Sequence, residues 1–122
     1  MKIVDANVIL RYLLNDHEEL SEEAETIIKN NELLVVNEVV AEIVYVLAKV
    51  YGVGNKEISD VLLELFGQVG MVLENREVVK EALILFGERR LDFVDTLLYA
   101  YCKVEGYSVF TFDKGLNKLL EK

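Results

Sequence analysis

The sequence predicts an α/β fold, a three-layer α/β/α sandwich built around a central, mainly parallel sheet. Short apolar runs of strand length alternate along the chain with longer amphipathic stretches at helical spacing. Strands that are joined through helices pair in parallel by right-handed crossovers and are covered on both faces. The 122 residues contain no proline, repeat or linker, so we expect a single domain spanning residues 1–122.

Four apolar runs are predicted to be strands. The first is expected to be a short buried strand that runs directly into Asp5, and the last ends just before Asp113. The predicted strands cover residues 2–4, 33–36, 71–73 and 107–112.

Capping and stop signals predict the helices between these strands. Ser21 is expected to cap a helix that ends near Asn30. Asn37 is expected to cap a helix that stops at Gly52, where glycine accepts the left-handed conformation. A helix beginning at Asn55 has one apolar face, formed by Ile58, Val61, Leu62, Leu65 and Phe66. The remaining predicted helices cover residues 8–14, 75–88, 92–105, which Gly106 stops, and 114–120.

The charge balance argues against a broad nucleic-acid-binding surface. The formal net charge is -9, whereas non-specific affinity for nucleic acid comes mainly from basic side chains that neutralise phosphates. A nucleic-acid partner therefore needs a local mechanism, such as bound cations where acids converge, helped by nearby Lys49, Arg89, Arg90 and Lys114. The alternative is an acidic surface that only keeps the protein soluble.

The single cysteine and the N-terminus point to a reducing cytoplasm and no membrane association. Cys102 has no partner for an internal disulfide, and its apolar neighbours predict a buried thiol. Asp5, Asn7 and Arg11 interrupt the N-terminal apolar residues, so no secretory signal is expected, and no apolar stretch is long enough to span a bilayer.

Two aspartates follow predicted strands, where sites form in open parallel sheets. Asp5 closes the first strand and Asp113 closes the last. A helix follows each of them, so helix capping explains either residue equally well.

Three further acids have similar alternatives. Glu42 lies among apolar neighbours, where an unpaired buried carboxylate is costly, but Glu38, Glu42, Tyr45 and Lys49 also recur at the spacing of a solvent-facing helical stripe. Asp92 and Asp95 stand three residues apart at a helix start, which also fits a cap with a reciprocating acid.

The expected topology allows these acids to meet at one edge of the sheet. Clustered carboxylates repel and raise one another's pKa unless a cation neutralises them. Magnesium or manganese suits a set of oxygen ligands, whereas zinc is not expected because His17 and Cys102 are single and far apart. We expect His17 in an exposed polar loop.

Four segments together resemble the ordered motifs of PIN-domain ribonucleases, and most of all the VapC-type toxins of toxin–antitoxin pairs. They are Asp5-Ala-Asn-Val-Ile-Leu-Arg, Glu42 in its apolar helix, Asp92-Phe-Val-Asp95-Thr-Leu-Leu-Tyr-Ala and Thr111-Phe-Asp113-Lys-Gly-Leu. The resemblance extends over about residues 2–120.

The resemblance implies a ribonuclease site with magnesium or manganese. Asp5, Glu42, Asp95 and Asp113 would be the catalytic, metal-binding acids, and Asp92 fits an accessory acid. Asn7 and Thr111 would be supporting polar groups. The implied reaction is phosphodiester hydrolysis by a metal-activated water. An RNA substrate, a cognate antitoxin and a homodimer are implied as partners.

Other classes fit less well or stay open. A phosphoacceptor receiver domain needs an acidic pair after the first strand, and an aspartyl-nucleophile phosphatase needs a second aspartate where Asn7 stands. A housekeeping RNA-processing nuclease of the same fold and a catalytically silent PIN-like interaction domain remain alternatives.

Overall fold

The computed structural model describes residues 1–121 and contains a parallel three-stranded sheet with the strand order β1-β2-β3. Lys2 lies opposite Leu33, and Leu33 lies opposite Met71. The strands are β1 (Lys2–Ile3), β2 (Leu33–Val35) and β3 (Met71–Leu73). Helices follow each strand and form most of the protein, which confirms the predicted α/β/α class with a parallel sheet.

Seven α-helices and one π-helical turn connect and cover the strands in the described residues. They are α1 (Ala6–Leu14), α2 (Glu18–Asn30), α3 (Asn37–Tyr45) continued by a π-helical turn (Val46–Val50), α4 (Asn55–Phe66), α5 (Arg76–Glu88), α6 (Phe93–Glu105) and α7 (Lys114–Leu120). None of the helices in residues 1–121 combines the length and apolar character needed to cross a membrane.

The central strands and the helices around them share one apolar core. Leu33 and Val35 of β2 are buried, and Ile9, Ile43 and Leu83 pack around them from three different helices. Full burial of a side chain of this kind stabilises the fold by roughly 1.5–3 kcal/mol. The packing of helices against the sheet therefore fixes the helix starts from which the acidic side chains project.

Strand β1 is shorter and more exposed than predicted. Lys2 and Ile3 are exposed, and only Val4, which follows the strand, is buried. The prediction of a buried first strand was therefore wrong for residues 2 and 3. Edge position alone does not explain this, because β3 at the other edge of the sheet is buried; the apolar core begins at Val4 and does not include Lys2 or Ile3.

The predicted fourth strand at residues 107–112 does not form in this structure. The segment has no strand partner, and Phe110 and Phe112 are fully exposed. Local bonds occupy its last residues instead: the backbone N–H of Asp113 donates to Thr111 Oγ1 (3.0 Å), and Asn117 Nδ2 donates to the Thr111 carbonyl (2.9 Å). Such local bonds compete with a strand ladder, and the two-residue β1 offers little edge for pairing.

Helix α2 begins three residues before the predicted cap. His17 Nδ1 accepts a hydrogen bond from the backbone N–H of Leu20 (3.2 Å), so the exposed His17 is the cap. Ser21 is buried one turn into the helix and donates to the Arg11 carbonyl (2.9 Å), which links α2 to α1. The prediction for Ser21 was therefore wrong, because a contact with α1 takes its hydroxyl.

Most other helix signals are confirmed, with local differences. Gly52 and Gly106 follow their helices with φ of +66° and +74°, and the helix predicted from residue 75 begins one residue later, with Asn75 Oδ1 as its cap. Asn37 is the first residue of α3 instead of its cap, and Val61 on α4 is exposed. Cys102 is half-buried instead of buried.

Candidate active site

Three of the predicted site aspartates occupy equivalent positions, each directly before a helix. Asp5 precedes α1, Asp92 precedes α6 and Asp113 precedes α7. Asp113 Oδ1 accepts from the backbone N–H of Leu116 (2.8 Å) and so caps its helix, whereas the carboxylates of Asp5 and Asp92 make no such bond. Capping therefore accounts for Asp113 and leaves the carboxylates of Asp5 and Asp92 without that structural role.

Asp95 lies in the first turn of α6, where it is half-buried. Its pKa is raised above the usual aspartate range, first by burial and then by the negative charges of Asp113 and Asp92. The start of α6 and the start of α7 therefore bring three carboxylates within range of one another's charge. A bound cation reverses the sign of this interaction, because it favours the ionised form of each acid.

Glu42 is exposed on α3, so the cost of burying an unpaired carboxylate does not apply to it. The solvent-facing stripe predicted as the alternative is present, because Glu38, Tyr45 and Lys49 are exposed as well. Tyr45 and Lys49 of this stripe also line a cleft that reaches Asp95. The stripe on which Glu42 lies therefore borders the site.

The donor chemistry of these acids suits a hard divalent cation, since carboxylate oxygens are the ligands that magnesium and manganese prefer. In residues 1–121, however, no three Asp, Glu, His or Cys side chains lie close enough together to hold a metal ion. The assignment of Asp5, Glu42, Asp95 and Asp113 as metal ligands therefore stays a prediction. The same holds for Asp92.

The two predicted supporting residues have different surroundings. Asn7 is exposed on α1 and faces a groove that it shares with Arg11 and residues of α2. Thr111 accepts the backbone N–H of Asp113, as described above, and so helps to fix the turn that carries the Asp113 carboxylate. This bond is a local turn contact, and the supporting roles of Asn7 and Thr111 at the site stay predictions.

An amide–tyrosine pair that the sequence analysis missed links two of the acid-bearing helices. Asn37 Nδ2 at the start of α3 donates to the hydroxyl of Tyr101 on α6 (2.5 Å), and the Asn37 backbone N–H donates to Glu74 Oε1 (2.9 Å). Tyr101 stacks on Tyr107, with ring centroids 6.2 Å apart. Asn37 and Tyr101 are 64 residues apart, so no local pattern signals this contact.

A cleft of about 840 Å³ opens beside Asp92 and Asp95. One wall comes from α3 and its π-helical turn, and the other comes from the loop between α5 and α6 and the start of α6. Phe86 and Phe93, both buried, also line the cleft and contact each other edge to face, with ring centroids 5.8 Å apart. The lining therefore combines apolar side chains with the acids of α6.

Comparison with known proteins places the chain in a family. The chain is 28% identical over 126 aligned positions to a protein described as a VapC ribonuclease from Aquifex aeolicus (strain VF5), and the alignment covers 98% of this chain and 92% of that protein. No solved structure matches closely enough to add a comparison. The PIN domain family model matches residues 2–121, which is almost the whole length, and the chain therefore belongs to the PIN-domain family.

Proposed function

We propose that the protein is a metal-dependent endoribonuclease that hydrolyses RNA phosphodiester bonds with magnesium or manganese. The observation that carries the proposal is the placement of Asp92, Asp95 and Asp113 at the starts of α6 and α7, where burial first, and then the charges of Asp113 and Asp92, raise the pKa of Asp95. Acids that destabilise one another in this way are typical of sites that hold a cation. Membership of the PIN-domain family and the similarity to a VapC ribonuclease support the same activity.

In this proposal Asp5, Glu42, Asp95 and Asp113 hold the cation, and Asp92 assists them. A bound divalent ion lowers the pKa of a water molecule and offsets the charge that builds up on the phosphate. The protein contributes by holding the carboxyl groups of Asp113 and Asp95 in place. The capping bond from Leu116 and the bond from the Asp113 backbone to Thr111 hold the Asp113 carboxyl, while the first turn of α6 presents Asp95 beside it.

Cleavage of a panel of labelled RNAs with magnesium, with manganese and with EDTA tests this function. The substitutions Asp5→Asn, Glu42→Gln, Asp95→Asn and Asp113→Asn should each abolish cleavage, because each removes a charged ligand. Asp92→Asn should leave partial activity. Cleavage that continues in EDTA would exclude the metal mechanism.

Glu38→Gln is the matched control for Glu42→Gln, because both residues are exposed acids one turn apart on α3. The control should keep the activity of the unmodified protein, and thermal melts should show that all variants remain folded. Full activity of Glu42→Gln would mean that Glu42 belongs only to the solvent-facing stripe.

We further propose that the enzyme is the toxin of a toxin–antitoxin pair, acting as a cytoplasmic homodimer. A basic segment of the antitoxin that carries arginine would fit the site, because the guanidinium pairs bidentately with carboxylates and stays charged. Co-purification and titration of the product of the adjacent gene into the cleavage assay should abolish activity. Tight binding without inhibition would argue against this mode, and the absence of any such partner would favour a housekeeping RNA-processing nuclease.

A further inference from the structure

The cleft that contains Asp92 and Asp95 is large enough to bind more of a ligand than the group held by these acids. Its volume of about 840 Å³ lies within the range of ligand-binding clefts, roughly 300–1,000 Å³. It runs along α3 and the following π-helical turn to the start of α6, and neither Asp113 nor α7 lines it. A chain of nucleotides whose phosphate lies at the acids would therefore continue into this cleft.

Two basic side chains line the cleft of this strongly acidic protein. Lys49 lies in the π-helical turn and Arg90 lies in the loop before α6, and both are exposed. Neither takes part in an ion pair within the part of the chain that the structure describes, whereas Arg11, Lys29 and Lys56 do. Lys49 and Arg90 are therefore available to neutralise phosphate groups of a ligand.

The same cleft also carries an exposed aromatic ring. Tyr45 lines the cleft and is 62% exposed, although an aromatic ring on a helix is commonly buried against the core. In the described residues the aromatic contacts are Phe86 with Phe93 and Tyr101 with Tyr107, so the Tyr45 ring stacks on no other ring. An exposed ring beside cations is the arrangement with which proteins hold unpaired bases.

We propose that this cleft is a subsite for single-stranded RNA next to the cleaved bond, where Tyr45 stacks on a base and Lys49 and Arg90 pair with backbone phosphates. The inference rests on the proposed ribonuclease function and adds the side chains that contact the strand beside the cleaved bond. A base in a duplex has no free face for Tyr45. Two observations favour RNA as the occupant over a second protein. The cations oppose the sign of the protein's net charge, and the cleft is continuous with the acids.

Binding can be measured apart from cleavage. Fluorescence anisotropy in EDTA and low salt would compare a labelled uridine octamer with a blunt RNA hairpin. The octamer should bind the unmodified protein more tightly than the hairpin does. Tyr45→Ala should weaken octamer binding by about tenfold, the loss expected for one base–ring stack, and Tyr45→Phe should restore it. Lys49→Gln and Arg90→Gln should each lower the salt dependence by about 0.7 in the logarithmic slope.

Tyr51→Ala is the matched control, because Tyr51 is another exposed tyrosine just beyond the π-helical turn and does not line the cleft. It should bind the octamer as the unmodified protein does. In cleavage assays with magnesium, Tyr45→Ala should raise KM for single-stranded RNA and leave kcat unchanged. A structural effect of the substitution would instead lower kcat or the melting temperature.

The outcomes separate this inference from the function on which it rests. Absence of RNA cleavage with any metal would remove the ribonuclease function, whatever the octamer does. The subsite alone would be overturned if the unmodified protein cleaves RNA but the substitutions Tyr45→Ala, Lys49→Gln and Arg90→Gln change neither octamer affinity nor KM. A shift from dimer to monomer in Tyr45→Ala, with RNA affinity unchanged, would also overturn it and assign the cleft to a second copy of the chain.

Discussion

Helices α4 and α5 approach so closely that the substitution Gly87→Ala should destabilise the protein. A Cβ atom at residue 87 would lie 2.7 Å from the Cβ of Ser59 and 2.8 Å from its Oγ. Optimal contacts between carbon atoms are about 3.5–4.0 Å, so the helices would have to separate by about 1 Å. Ser59 is also buried and donates to the Leu83 carbonyl (2.7 Å), so rotation of its hydroxyl would break this bond, and it would not move the Cβ.

Two opposing terms set the magnitude for Gly87→Ala. Overpacking of a well-packed contact costs about 1–3 kcal/mol, whereas replacing glycine by alanine inside a helix gains about 1 kcal/mol. We expect the free energy of unfolding to fall by up to about 2 kcal/mol. This corresponds to a melting temperature lower by up to roughly 8 °C for a domain of this size.

Urea unfolding followed by circular dichroism, in a double-mutant cycle with Ser59→Gly, isolates the clash. In the Ser59→Gly background the clashing atoms are absent, so Gly87→Ala should become stabilising by about 1 kcal/mol. An equal effect of Gly87→Ala in both backgrounds would refute the packing argument. Because Asn55 of α4 and Phe86 of α5 line the cleft, Gly87→Ala should also weaken octamer binding, and Ser59→Gly should partly restore it.

Three further results are expected. Asp95→Asn should raise the melting temperature at pH 7 in EDTA, because a raised pKa means that the charged carboxylate destabilises the fold. This gain should disappear as the pH falls through the pKa of Asp95 toward that of the unfolded chain, about 3.9. Magnesium should raise the melting temperature of the unmodified protein with the logarithm of its concentration and should have a smaller effect on Asp95→Asn, whereas equal responses would exclude Asp95 as a ligand. Tyr101→Phe should lower the free energy of unfolding in urea by about 1–2 kcal/mol, since it leaves the Asn37 amide without its partner, and an unchanged value would mean that water replaces the hydroxyl.

The parts of the fold that local chemistry determines were predictable from the sequence. Gly52 and Gly106 mark helix ends because few other residues adopt a positive φ without cost, and Asn75 caps α5 with its own side chain. The predicted strand at residues 107–112 is a contrasting example. Its apolar residues suit a strand, but strand formation depends on an edge to pair with, and the edge of β1 is only two residues long.

For the candidate site, the sequence predicts the positions of the acids along the chain but not the orientation of their side chains. The positions of Asp5, Asp92 and Asp113 at the ends of strands or the starts of helices follow from local pattern, and all three precede helices in the structure. Whether a carboxylate caps its helix depends on side-chain orientation, which the sequence does not encode locally. For this reason Asp113 and Asp5, which look alike in the sequence, differ in the structure.

The π-helical turn at Val46–Val50 is a place where the number of residues can change by one while the helix direction stays the same. Such a turn holds one residue more than an α-helical turn, and each residue of an α-helix advances the side-chain direction by about 100°. Deletion of a single residue here would leave an ordinary α-helix, and all later side chains would keep their present directions. The cleft would lose one lining residue, either Lys49 or a neighbour of it. Related chains can therefore differ by one residue at this point and keep α4 in place, so the turn is a position where insertion and deletion can alter the cleft without refolding the domain.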